Sequence, residues 1–440
     1  MRWCPDVSSW GRARRCGAIA LGLTLLAGAI SLNDWWRGRI RVDLTNHSLA
    51  ASRVLYAGGD PYSADKSGVT DFRYFPLNAV VLGPLTLLPV PVAQGVWFAL
   101  NTGLVVWCFW WHRRGVRALR VPWWVWAGAL AISGRFLAQS LTLGQWNTSV
   151  YCLAFIGLAL LSQQRRWAGA TLLGLAAVLK YMPSFFLVYL LVKRRWRDAG
   201  ALALSIVVWL LVVPTAILGP SRHMQLLDGF RRNMKGNLRV MRNETEAVGY
   251  SLSASVYCLL TPATRGDQDE RIRRPVNVVA LPPRAAARVA DAAVLAALAF
   301  GALLVFRLGR RPGHDDPLRE LLEVGFWFAL LLLISPEVRK AQLLTLFTPT
   351  FAVLLGLPHV AMSTWRRRAA LALLSLALFL VLASSTIIKG LPLNHLMTSY
   401  GSWTGVILAV AAAAVLVLTA RPRAGAAARS EADGSPPRGG

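Results

Sequence analysis

The sequence predicts an all-α, polytopic membrane bundle of about 10–13 spans, and three observations predict it. Residues 16–32, 92–111, 199–218, 285–306, 369–388 and 403–420 are nearly uncharged apolar runs. Each is near the roughly 20 residues that cross hydrocarbon as a helix. Basic residues gather in short clusters between the runs, at 12–15, 165–166, 193–197, 307–311, 366–368 and 421–423. That is how cytoplasmic loops of membrane proteins are charged. Trp35, Trp36, Trp110, Trp111, Trp167, Trp196 and Trp365 stand at run ends, where amphipathic rings favour the membrane–water interface.

Each observation excludes something. A chain that is 55% hydrophobic could also be a soluble protein with a large core, but the length and continuity of the runs favour the bilayer. Without water in the hydrocarbon, helices or closed barrels must satisfy the backbone, and the alternating segments of a barrel are not seen. Lys and Arg total 48 against 21 Asp and Glu, a net charge of +27. In a soluble protein this would suggest nucleic acid; here the clusters between spans account for it, and no nucleic-acid partner is expected. Cys4, Cys16, Cys108, Cys152 and Cys258 are scattered, with neither a disulfide framework nor zinc spacing. Neither metal nor cofactor is expected. The basic stretch at 12–15, the apolar run and Ala27–Gly28–Ala29 fit a cleaved leader or a retained first span; the many later spans favour retention.

The remaining candidate spans are 75–88, 121–138, 148–161, 168–192, 321–334 and 341–357. Those at 75–88, 148–161 and 321–334 are short, fitting half-spans or spans that extend into neighbouring polar residues. Strict alternation from a cytoplasmic N-terminus leaves the basic loops 112–120 and 163–167 on the wrong side. Counting 75–111 as one net crossing, and breaking 168–192 around Lys180 and Pro183, repairs both. In either scheme residues 33–74, 335–340 and 389–402 lie outside together, and both termini are cytoplasmic. The loop 219–284 joins the outer set, with a basic stretch at 231–242 and a short apolar segment at 249–261 that reads as a re-entrant or interfacial helix. Residues 1–420 read as one domain. The tail 421–440, of Ala, Gly, Pro, Ser and Arg, has the composition of disorder.

The first outer loop is long for a connector. After Asp43 it predicts a helix over 44–56 lying along the membrane surface. A turn follows at Gly58–Gly59–Asp60–Pro61. An Asp, a short helix, then AGGDPY (57–62) and FRYFPLNAVVLGPLTLLP (72–89) resemble glycosyltransferase family 87. These are polyprenyl-phosphate-sugar-dependent enzymes of the C-type membrane superfamily, many of them mannosyltransferases. LGQWN (143–147) is similar to the family's Gly-Gln-x-Asn. AGATLLGLAAVLKYMPSFFLVYLL (168–191) is similar to its Ala-Gly-rich helix with Lys and Pro. ISPEVRKAQLLTLFTP (334–349) is similar to its late Ser-Pro motif. Two departures stand: Phe75 replaces the first Pro of the family's Tyr-Pro-Pro-Leu, and GYSL (249–252) is the nearest match to Gly-Asn-Gln-Ser-Leu.

The resemblance implies transfer of a hexose, mannose in many members, from a polyprenyl-phosphate donor to a glycan or glycolipid acceptor. The reaction would occur on the outer face of the cell (plasma or inner) membrane, among membrane lipids. Such chemistry needs a carboxylate as general base and cations for the departing phosphate. By resemblance Asp43 matches the acidic residue that opens the family's first outer loop; the plainer reading is a helix N-cap. Asp34, Asp60, Asp65 and Asp71 share that reading, and Asp60 also suits its turn. Arg339 and Lys340 lie outside against the charge rule, which points to phosphate; snorkelling at the interface is the alternative. Lys180 and Arg135 interrupt apolar stretches, so Lys180 is either a phosphate ligand or a water-exposed helix break. Arg73 could touch phosphate or lipid headgroups. Asp60, Tyr62, Tyr74, Gln145, Asn147 and His395 are candidates for the substrate cavity, Gln145 and Asn147 also for capping the next helix. His47 and His395 lack metal spacing. A secondary transporter or a non-catalytic scaffold would share the spans and buried charges, but no related halves are seen.

Overall fold

The computed structural model describes residues 43–63, 72–116, 119, 121–240, 246–247, 249–265, 275–309, 316–384, 397 and 399–422. The expected first span at 16–32, His395, Asp34, Asp65, Asp71 and nearly all of the tail lie outside them. The described chain is helical. π-helical Leu44–Leu49 continues into α-helical Ala50–Tyr56, together α1. α2 is Pro76–Val81, α3 Gly83–Thr86, α4 Val90–Gly115, α5 Trp123–Leu143, α6 Asn147–Ser162 and α7 Arg166–Leu179. A 3₁₀ turn, Met182–Phe185, leads into α8, Phe186–Val192. α9 is Trp196–Leu218, α10 Pro220–Val240, α11 Leu252–Leu260, α12 Pro283–Gly309 and α13 Pro317–Ile334. The 3₁₀ segment Lys340–Leu346 leads into α14, Phe347–His359; α15 is Thr364–Ala383 and α16 Ser402–Leu418. Among the described residues, sheet is confined to two-residue pairings: Glu246–Ala247 parallel to Thr264–Arg265, and Val360–Ala361 antiparallel to Arg421–Pro422.

Among the described residues, four stretches, α4, α9, α12 and Lys340–His359, are long and apolar enough to cross a membrane. Their surfaces agree with that reading. α9 exposes Leu204, Val207, Val208, Leu211, Val212 and Ile217, and α12 exposes Val289, Leu295, Phe300 and Leu303. Continuous apolar faces of this size are costly in water and suit lipid.

The chain divides into two compact units. The first comprises Met1–His112, Leu137–Tyr181 and Leu204–Asn233; the second Arg113–Phe136, Met182–Ala203 and Met234–Gly440. In the first, α6 and α7 form a close pair. A Cβ on Gly157 would lie 2.8 Å from the Gly169 carbonyl oxygen, and one on Gly169 2.6 Å from that of Gly157. Small residues let the backbones approach where lipid offers no hydrophobic drive. In the second, α13 is buried along almost its whole length and packs against α12, α14 and α16. Its N-terminal half carries fully buried Glu323, which accepts from Lys193 Nζ at 2.5 Å with Arg319 Nε 3.6 Å away. Arg195 pairs with Asp198 at 2.8 Å and Glu320 at 3.1 Å. These partners explain how α13 extends the short run 321–334 into polar sequence.

Two stretches that the sequence leaves open take definite form. Residues 75–88 do not form a full span. Pro84 and the preceding turn divide the stretch into α2 and α3, six and four residues long. At roughly 1.5 Å per residue these reach about 15 Å, half of a hydrocarbon core. The loop 219–284 contains α11, within the short apolar segment 249–261 that predicts a helix, and also α10, for which the basic stretch 231–242 gives no such prediction. Gly219, at φ +80°, ends α9, and Pro220 opens α10 at the position where a missing N–H is harmless. The break at Lys180 appears as expected: α7 ends at Leu179, and Lys180 is extended at φ −154°, ψ 124°.

Candidate functional site

In the first unit, Asp43 is the first described residue, and it is already helical where it leads into α1. The carboxylate caps nothing: residue 43 is itself helical in φ and ψ, and its side chain takes no backbone N–H. Instead Oδ2 accepts a short hydrogen bond from Gln145 Nε2. Oδ1 faces His47 Nε2 at 3.9 Å, one helical turn on. The Asp43 side chain remains 31% exposed.

Gln145 reaches Asp43 because of how α5 ends. Gly144 takes φ +68° and turns the chain between α5 and α6. Trp97 of α4 braces the turn, its Nε1 donating to the Gly144 carbonyl at 3.0 Å and its ring meeting Trp146 edge-on at 4.7 Å. One turn earlier on α4, Gln94 Nε2 donates to Thr45 Oγ1 at 3.0 Å and fixes α1. Asn147 opens α6 but does not cap it. Its Nδ2 donates to Gln145 Oε1 at 2.6 Å, and its Oδ1 accepts from Lys180 Nζ at 2.7 Å. Lys180 stands where α7 stops. The Leu179 carbonyl, left over at that end, accepts from buried Asn78 of α2 at 3.2 Å. Asp43, Gln145, Asn147 and Lys180 are therefore one continuous hydrogen-bonded row.

The AGGDPY turn forms a second feature of this unit. Gly58 lies at φ +84°, a conformation glycine adopts without strain. Asp60 Oδ1 accepts the Tyr62 N–H at 2.9 Å, an Asx turn, so Asp60 plays the local role its setting suggested. The Tyr62 hydroxyl donates to the Tyr74 carbonyl at 2.6 Å, while its ring packs on Phe72 at 5.4 Å and Phe230 at 6.0 Å. Burial, and then the nearby Asp60 carboxylate, raise the Tyr62 phenol well above the ordinary tyrosine value, so it stays a donor. Arg222 of α10 donates to the carbonyls of Gly58 and Gly59, and Asn233 Nδ2 to that of Phe72 at 2.9 Å. Arg73 is half-buried beside this clasp. Arg222, Asn233, Asn78 and Gln94 were not singled out from the sequence. The Gly-Pro start of α10 is the one local signal that could have drawn attention to the first two.

In the second unit, residues 335–340 are knitted to 249–251. Tyr250 N–H donates to the Val338 carbonyl at 2.8 Å, and Ser251 Oγ to that of Pro336 at 3.3 Å, while Ser251 also caps α11. The Ser335 hydroxyl donates to the Glu337 carbonyl at 2.9 Å. Arg339 Nε pairs with Glu337 Oε1 at 2.5 Å, and its side chain is 43% exposed. Lys340 Nζ lies 5.8 Å from the Tyr250 ring centroid and 5.9 Å from that of Trp403. Aromatic faces attract cations at such distances. Arg135 stands 5.2 Å from the same Trp403 ring and donates to the Val381 carbonyl at 3.2 Å. Arg135 and Lys340 thus share the buried Trp403 ring, and Lys340 also meets buried Tyr250, while Arg339 precedes Lys340 in the chain.

A family model described as Glycosyltransferase family 87 matches residues 72–336. That is more than half of the chain. The matched range contains Arg73, Tyr74, Gln145, Asn147 and Lys180, while Asp43, Asp60 and Tyr62 precede it and Arg339 and Lys340 follow it. No significant match was found among curated proteins or among solved structures.

Proposed function

This chain belongs to glycosyltransferase family 87, and from that membership we propose that it moves a hexose from a polyprenyl-phosphate donor to an acceptor hydroxyl on the outer membrane face. The acceptor oxygen attacks the anomeric carbon as its proton passes to Asp43. The bond from that carbon to the phosphate oxygen breaks with its electron pair on the leaving polyprenyl phosphate. Arg339 and Lys340 receive the phosphate charge. Asp60, Tyr62 and Tyr74 shape the acceptor side through the first loop.

The observation that carries this reading is the state of Asp43. It is a helical residue whose carboxylate takes no backbone N–H, is held by a side chain 102 residues away and stays partly exposed. Asp43→Asn keeps the shape but cannot take the proton. Its turnover should fall by roughly 10²–10⁴-fold, the usual share of a positioned base, with donor affinity retained. Turnover and donor binding measured on the same purified variant check this. Near-normal turnover would remove Asp43 from the chemistry.

A further inference from the structure

Between Lys180 and Asp43 lie two amides and three hydrogen bonds. An ammonium has three donors and no acceptor, whereas an ionised carboxylate only accepts. An amide offers one of each. Lys180 therefore requires Asn147 to turn Oδ1 toward it. Asn147 Nδ2 then points at Gln145, whose Oε1 must accept, and Gln145 Nε2 is left directed at Asp43. Reversing either amide would set donor against donor at one link and acceptor against acceptor at another. The order is fixed by the two charged ends and does not depend on how amide oxygen and nitrogen are assigned.

We infer that Lys180, Asn147 and Gln145 are positioning residues for Asp43, a polarised relay in which the Lys180 ammonium sets the direction of both amides and so holds one carboxylate oxygen. This rests on the reading of Asp43 as general base. Oδ2 is engaged by Gln145, and the acceptor's proton goes to Oδ1, the oxygen facing His47. The bonds of such a row strengthen one another. The elements around Asp43 add few charges: α2 and α3 carry no ionisable side chain, and α1 carries His47, Tyr56 and exposed Arg53. Lys180 then serves the acceptor side of the reaction, not the donor phosphate.

The test uses the full-length protein in detergent, with radiolabelled polyprenyl-phosphate mannose as donor and a lipid extract of the native membrane as acceptor. Asn147→Asp is the sharpest variant. It keeps an acceptor for Lys180, with a charge that strengthens that bond, but removes the N–H that orients Gln145. The relay expects kcat to fall about tenfold to a hundredfold, the usual effect of losing a residue that orients a functional group, with no loss of thermal stability. Lys180→Met should lower kcat comparably at unchanged donor KM, and Lys180→Arg should recover part of it. In an Asp43→Asn background neither change should lower kcat further, because the residue they act through is gone.

Wild-type turnover in Asn147→Asp would make the row a structural brace and overturn the inference. A raised donor KM with normal kcat in Lys180→Met would return Lys180 to the phosphate and also overturn it. If Lys180→Met does not fold, Asn147→Asp decides alone. Should Asp43→Asn be impaired and Asn147→Asp normal, only the relay falls. Should Asp43→Asn be normal, the assignment of the base falls first.

Discussion

Position 43 shows how side-chain partners separate readings that composition leaves together. Asp43 and Asp60 both belong to the stretch that the charge pattern predicts to lie outside. Asp60 closes its own turn through the Tyr62 N–H, whereas Asp43 accepts from the remote Gln145 amide and faces His47 one turn on. The same comparison applies to the cations. Arg339 keeps its Nε on Glu337 yet stays 43% exposed, and Lys340 rests against aromatic rings. If Arg339 holds the leaving phosphate, Arg339→Ala should raise donor KM, lower kcat, or both, by about 1.5–3 kcal/mol in kcat/KM. Unchanged kinetics in folded protein would leave it a snorkelling side chain. Each of these residues could be named from the sequence as a charge in an unusual place. Their connections could not, because Asp43 and Gln145 are 102 positions apart and Asn147 and Lys180 are 33 apart.

Among the elements, strong periodic or apolar runs were legible and marginal ones were not. α4, α9 and α12 coincide with long uncharged runs, and the end of α7 falls where Lys180 and Pro183 interrupt one. α10 was read as loop because its composition is polar and basic, and its start signal is only Gly219–Pro220. The contact between 249–251 and 335–340 depends on one glycine. Gly249 lies at φ +90°, and a Cβ there would stand 3.0 Å from the Val338 carbonyl oxygen and 3.1 Å from its nitrogen. Both the dihedral and the approach exclude a side chain. Gly249→Ala should cost about 1–3 kcal/mol, seen as a lower unfolding temperature, and should raise donor KM by disturbing the segment that carries Arg339. An alanine variant unchanged in both would show that this contact is dispensable.

For the whole molecule, the charge pattern gives a sidedness that experiment can check. Basic connectors at 193–198 and 359–368 belong inside, and the first loop belongs outside. Single cysteines at Ser63 and Ser363, both exposed, can be placed in a background lacking the five native cysteines. An impermeant thiol reagent on intact cells should label the first and spare the second. The reverse would put Asp43 on the wrong side for an outer-face reaction.

The transfer itself is open to a direct assay. Purified protein is incubated with a panel of radiolabelled polyprenyl-phosphate hexoses and a lipid extract of its native membrane. The wild type should move label from at least one donor into a glycolipid and release polyprenyl phosphate in equal amount, with Asp43→Asn at least about a hundredfold slower. Stable, donor-binding protein that transfers no label, or an Asp43→Asn variant that transfers it at the wild-type rate, would contradict the account.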